Sequence, residues 1–280
     1  MLSQKAAYTG CRGNNRNDML NKMKNSYIQV EKGKVSTVWL ARPDKRNAIN
    51  GDMATELMEA FRDLSNDQLV SVVVLRGQGN VFCAGGDLRW MSSGSENPDT
   101  HPPMVLAKLY QSLYHFDKPL IICVHGSAMG GALGLIACGD FVVADQGASF
   151  SFSEVRLGLI PATISPYVIT RIGQTRAMQL MLSGQTIGSR EAMDSGLVDI
   201  LACDGQLDNT CHELTNALLQ NAPGAMRACK QLVRKVSANE MDEKLKDYTV
   251  RTLDEIVRSE EAKEGMLAFR EKRKPNWRKT

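Results

Sequence analysis

The chain has 280 residues and a mass of 30.8 kDa, with 43% apolar and 23% charged residues. That is ordinary globular usage, which excludes a disordered or collagen-like chain, and no apolar run approaches the ~18 residues that a membrane span needs. Lys and Arg number 34 against 31 Asp and Glu, a net charge of +3, and that balance alone points to no nucleic-acid partner. The charge is unevenly placed, however. Residues 1–26 carry five basic residues and one acid, and residues 270–280 carry six and one. The body from 27 to 269 is mildly acidic between two basic tails, which are either solvated or meet phosphate.

In chain order, the basic, Asn-rich start reads as a flexible extension without a secretory apolar stretch. Tyr27–Glu31 and Val35–Ala41 alternate apolar and polar residues around Lys32-Gly33-Lys34, which predicts a β-hairpin. Asn50-Gly51-Asp52 opens a helix running to about Leu64, with Met53, Leu57, Met58 and Phe61 at helical spacing. Val70–Leu75 is a continuous apolar run, the mark of a strand buried on both faces. A Gly-rich loop spans 77–86, a polar and mobile segment 91–103, and a helix 104–115. The alternation then repeats: a strand at Leu120–Val124, a loop at 126–131, a helix at 132–138 and a strand at Phe141–Ala144. Strands alternating with helices imply a parallel sheet with crossover helices. From about Pro166 the pattern is helical, with one short strand at Leu197–Leu201.

The seven cysteines, at 11, 83, 123, 138, 203, 211 and 229, are odd in number and show no CxxC spacing. This favours a reduced, cytoplasmic chain with neither a disulfide framework nor a zinc site.

Two glycine loops and one carboxylate are the candidates for chemistry. The loops are Phe82-Cys83-Ala84-Gly85-Gly86-Asp87 and His125-Gly126-Ser127-Ala128-Met129-Gly130-Gly131. Glycine lets backbone N–H groups approach a ligand closely, so each loop is either half of an oxyanion hole or a tight turn with no ligand. Neither loop fits the GxGxxG, Walker A or GxSxG patterns. Glu154 stands in an apolar stretch, where burial would raise its pKa toward the range of a general acid or base. The plainer alternative is an ion pair with Arg156.

Six stretches in order resemble the crotonase family, the enoyl-CoA hydratases and isomerases. They are RPDKRNAIN (42–50), VFCAGGDL (81–88), HGSAMGGALGL (125–135), SEVRLGLIP (153–161), SREAMDSGLVD (189–199) and EGMLAFREKRKPNW (264–277). The resemblance implies an α/β fold of stacked ββα turns with a C-terminal helical trimerisation region. The expected division is a flexible extension (1–26), a ββα spiral catalytic core (27–200) and a helical region for oligomerisation and CoA contact (201–280). It also implies an acyl-CoA substrate, no metal, no permanently bound cofactor, and a homotrimer or dimer of trimers without membrane or nucleic acid. By position the oxyanion donors fall on Gly86 and Gly131. Lys45, Asn47, Ala48, Ala84 and Asp87 should line the CoA site, and Phe269 and Lys272 should reach CoA from the C-terminal helix, of this subunit or a neighbour.

Typical hydratases carry one Glu in the helix after the second glycine loop and another in the next segment. Here the first position is Gly134, and only Glu154 remains. A water or a substrate carboxylate is expected in the space beside Gly134. The single Glu, with the run Ala162-Thr163-Ile164-Ser165-Pro166, is similar to bacterial methylglutaconyl-CoA hydratases. The resemblance therefore implies hydration of a branched enoyl-CoA such as 3-methylglutaconyl-CoA, with Arg89 and the 163–165 stretch as partners for a substrate carboxylate. The alternatives are a Δ3,Δ2-enoyl-CoA isomerase, an acyl-CoA thioester hydrolase and a non-catalytic RNA- or partner-binding protein of the same fold.

Overall fold

The computed structural model describes residues 26–278, so nearly all of the N-terminal extension lies outside the described residues. Strands β1 (Ile28–Glu31) and β2 (Val35–Leu40) form the expected hairpin, with Ile28 opposite Leu40 and Glu31 opposite Thr37. The other strands of this sheet are β3 (Val72–Gly77), β4 (Leu120–Val124), β6 (Phe141–Asp145) and β9 (Ile200–Ala202). The sheet order is β1-β2-β3-β4-β6-β9; β1 is antiparallel to β2, and every other neighbouring pair is parallel.

The apolar runs are continuous because both faces of the sheet are covered. Val73, Leu75, Ile122, Val124 and Val142 face a core built with helices α1 (Gly51–Asn66) and α3 (Pro102–Tyr114). Val72, Val74, Ile121, Cys123 and Val143 face the other way, against Leu207 and Cys211 of α8 (Leu207–Leu218). Helix α1 begins where the sequence places it. Asn50 is its N-cap, and its side chain accepts the Met53 N–H at 3.0 Å. The apolar spacing puts Met53, Leu57, Phe61 and Leu64 into the core, where Phe61 meets Phe116 edge to face at 5.0 Å.

Three short strands differ from the sequence reading, and they make the site. The segment read as loop 126–131 contains β5 (Ser127–Met129), which pairs parallel with β7 (Ser149–Ser151); β7 pairs antiparallel with β8 (Thr186–Gly188). Isolated bridges join Ile49 to Gly86 and Cys83 to Ala128, so this small sheet extends through the first glycine loop to the 42–48 loop. Three-residue strands are too short to show a period of two in sequence. Other differences are shifts of bounds: the last strand starts at Ile200 rather than Leu197, and α3 starts at Pro102. Leu88–Ser92, which overlaps only the start of the segment read as polar, is a short helix, α2, and an Asp99–Lys108 ion pair at 2.8 Å ties the following turns to α3.

Helix α4 (Ala132–Ala137) connects β5 to β6, and α5 (Ser165–Ile172), α6 (Gln174–Ser183) and α7 (Ser189–Asp194) precede β9 and α8. Helices α9 (Pro223–Ser237), α10 (Glu243–Arg258) and α11 (Glu260–Arg270) follow it. Helix α9 is tied to the body by ion pairs from Arg227 to Asp117 and from Lys230 to Asp140, each at 2.5 Å.

Candidate active site

The short ladder brings the two glycine loops into contact. Phe82 N donates to His125 O, Cys83 N to Ser127 O and Met129 N to Cys83 O, at 3.0 to 3.2 Å. Gly130 N donates to Ser151 O at 2.8 Å, which fastens the second loop to the strand leading to Glu154. A Cβ built on Gly131 would lie 3.3 Å from the Gly86 amide nitrogen, and one built on Gly85 would lie 2.5 Å from Met129 O. Gly85 also has φ +93°, so only glycine serves there. Gly86 and Gly131 therefore present their amides side by side. Among the described residues neither N–H donates to a backbone or side-chain acceptor.

Glu154 lies in a 3-10 turn (Ser153–Leu157) just after β7. Its Oε1 is 3.3 Å from where a Cβ on Gly130 would stand, so the carboxylate lies against the second glycine loop. Its Oε2 is buried with no hydrogen-bond partner. Burial pushes its pKa up, opposed by its own backbone N–H. The expected alternative of an ion pair with Arg156 is not formed. The exposed Arg156 side chain instead passes Gly184, its Nε 3.4 Å from a Cβ placed there.

The space beside Gly134 corrects the sequence reading. It holds no room for a water or a substrate carboxylate. A Cβ at 134 would lie 2.4 Å from Ile164 Cγ2 and 2.7 Å from Tyr110 Cε1. The Tyr110 ring is fully buried, and its hydroxyl donates to Gly131 O at 2.9 Å.

The loop expected to line the CoA site divides into framework and surface. Asn47 is fully buried, and its side chain is spent on the backbone. It accepts Arg42 N at 2.9 Å and donates toward Gln78 O, Val81 O and Phe82 O at 2.8 to 3.1 Å. It thus holds the loop and has no polar atom left for a ligand. Lys45 is exposed; Ala48 and Ala84 are half-buried, and Ala84 N donates to Arg46 O at 2.9 Å. Asp87 caps α2 through the N–H groups of Arg89 and Trp90, and pairs with Arg42 at 2.8 Å. Burial would raise the Asp87 pKa, but Arg42 and the helix N–H groups outweigh it and hold the carboxyl below its usual range. Cys83, between the loops, has its thiol pushed up to about 12 by burial and is inert as a nucleophile. His125 Nε2 bonds Gly79 O at 2.9 Å, a structural role.

Phe269 and Lys272 lie at the end of α11 and just beyond it, both exposed. Of the partners expected for a substrate carboxylate, the Ser165 hydroxyl is spent on Ala162 O at 2.9 Å, and Arg89 is exposed. Tyr110 and Met91 are not candidates in the sequence reading, and Ile164 enters it only as part of the 163–165 stretch. Each looks like an ordinary apolar-face residue there. Met91 Sδ would lie 2.6 Å from a Cβ on Gly86, so it packs directly over that glycine.

Known proteins share this fold. The family model described as enoyl-CoA hydratase/isomerase matches residues 30–280. The chain is 34% identical to an enoyl-CoA hydratase of Shewanella pealeana, covering 94% of this chain and all of that one, with a TM-score of 0.86. It is 33% identical over 259 residues to a Thermus thermophilus protein provisionally named an enoyl-CoA hydratase, covering 89% of this chain and all of the relative. It is 30% identical over 261 residues to the carnitinyl-CoA dehydratase of Shigella flexneri, covering 91% and 99%. Paired glycine amides beside a buried carboxylate, on a fold matched along nearly its whole length, place this chain in the enoyl-CoA hydratase/isomerase family, the crotonases.

Proposed function

We propose that the chain adds water across the double bond of an α,β-unsaturated acyl-CoA, with Glu154 as its single acid–base residue. The observation that carries this reading is the conjunction of two unpartnered N–H groups, on Gly86 and Gly131, with a buried, unpartnered carboxylate oxygen on Glu154. The two N–H groups would hold the thioester oxygen as negative charge moves from the double bond onto it. Glu154 would take a proton from water as the water oxygen bonds to Cβ, then return a proton to Cα. Loss of one such donor typically costs ~10²–10³ in rate, so the pair would carry much of the catalysis. A relative named for the dehydration of carnitinyl-CoA supports water chemistry here, since elimination of water is the reverse reaction.

The branched substrate 3-methylglutaconyl-CoA is the first to test, on the strength of the SEVRLGLIPATISP stretch. Exposed Lys45, with the backbone at Ala48 and Ala84, would meet CoA, whose phosphates suit a cation. Phe269 and Lys272, both exposed in the single chain, would complete the site of a second copy. A trimer, or a dimer of trimers, is the assembly this reading expects. Val250, Leu253 and Val257 of α10 are exposed at helical spacing, which supports a buried contact there.

The filled space at Gly134 favours one second reading. With no seat for another carboxylate, Glu154 alone could move a proton between carbons, as in a Δ3,Δ2-enoyl-CoA isomerisation. Purified protein with 3-methylglutaconyl-CoA, crotonyl-CoA and a 3-enoyl-CoA decides between them. Loss of the conjugated thioester band with a gain of one water in product mass supports hydration. Migration of a 3-enoyl double bond without mass change supports isomerisation. Glu154→Gln should lower either rate by at least ~10²-fold with KM little changed; full turnover in that variant would sink both.

A further inference from the structure

We propose that Tyr110 is a positioning residue that locks the oxyanion glycine Gly131, and that with Ile164 it holds the site to one carboxylate by packing. Tyr110 is a buried, titratable side chain that the proposed chemistry does not use. Its hydroxyl donates to Gly131 O at 2.9 Å, and the same carbonyl accepts Gly134 N at 3.1 Å. One edge of its ring closes on Gly134, with Cε1, next to the carbon that bears the hydroxyl, 2.7 Å from where a Cβ would stand. One rigid side chain thus spans from the oxyanion loop to the place where two-carboxylate hydratases carry their second acid.

Packing makes the two ends interdependent. Any side chain at 134 must displace Ile164 Cγ2 or the Tyr110 ring, and neither is the free end of a flexible chain. Displacing the ring draws its hydroxyl away from Gly131. Restoring a Glu at 134 alone would therefore disturb the oxyanion pair rather than supply a second acid. The tyrosines at 114 and 167 back the strut: ring centroids of Tyr110 and Tyr167 are 6.2 Å apart, and those of Tyr114 and Tyr167 are 5.2 Å apart.

This inference rests on the role given to Gly131 above, so its test has one arm that needs no turnover. Tyr110→Phe keeps the ring and removes the hydroxyl. Hydrogen exchange of the ligand-free protein should then speed up in the 130–137 segment and stay unchanged in β3 and β4. With an enoyl-CoA, kcat should fall about tenfold while KM stays within about twofold, the split expected of lost positioning. Gly134→Ala should show the same two effects, and Gly134→Ala/Ile164→Ala should recover part of kcat. Unchanged exchange in Tyr110→Phe overturns the proposal, as does a raised KM at unchanged kcat. If the wild type turns over no enoyl-CoA, the functional reading fails, and the exchange arm alone still decides the role of Tyr110.

Discussion

Glu154 shows how a residue can serve the site at the expense of the fold. A carboxylate oxygen without a partner, shut away from water, is costly when ionised, and burial raises its pKa accordingly. The folded chain then binds that proton more tightly than the unfolded chain does. Stability from this group is therefore fully present below the ordinary glutamate pKa and is lost as pH rises through the folded value. Glu154→Gln cannot ionise. It should melt at a higher temperature than the wild type at neutral pH, with the advantage shrinking as pH falls toward the acid range. Thermal unfolding across pH checks this, and a variant that melts lower at every pH would contradict it. Asp87 has the opposite sign. Its pKa is held down, so its contribution is present above the ordinary aspartate pKa and fades on acidification.

At the scale of elements, the first glycine loop is held in place by the Arg42–Asp87 pair and the short helix α2. Arg42 Nη1 donates both to Ala48 O at 2.9 Å and to Asp87 at 2.8 Å, joining the 42–48 loop to the segment that carries Gly86. Asp87→Ala removes the α2 cap and leaves Arg42 without its carboxylate, a loss of about 1–3 kcal/mol. Denaturant unfolding should show that loss, and KM for the acyl-CoA should rise, because the 42–48 loop is expected to meet CoA. A stability loss with unchanged KM would separate the cap from the CoA contact. Helix α1 joins the same loop from its other side, since Ile49 beside its cap bridges to Gly86: Asn50→Ala should cost about 1 kcal/mol through its lost cap, which denaturant unfolding checks.

For the whole molecule, the exposed apolar residues are the chief remaining feature. Val250, Leu253 and Val257 on α10, and Phe269 near the end of α11, with Phe269 87% exposed, leave apolar surface open in the single chain. If Phe269 and Lys272 complete a neighbour's CoA site, activity should depend on assembly. Val250→Glu/Leu253→Glu should shift the sedimentation of the wild-type assembly toward the monomer and raise KM for the acyl-CoA together. A dissociated variant with unchanged KM would show that each chain binds CoA alone.

The sequence by itself determined the elements with strong local signals. The α1 helix was legible from its Asn cap and apolar spacing, the buried parallel strands from their continuous apolar runs, and the glycine loops and Glu154 from residue type. The order of six short stretches carried the family. Tertiary structure decided what depends on pairing between distant segments. The three-residue strands β5, β7 and β8 have no period to read, yet they set Gly86, Gly131 and Glu154 together. The sequence marked Gly134 as a missing acid and suggested an open space, but a glycine does not say what fills the volume its side chain leaves. Ile164 and Tyr110 fill it, 30 and 24 residues away along the chain. Close packing in three dimensions decides such a question, and no local pattern records it.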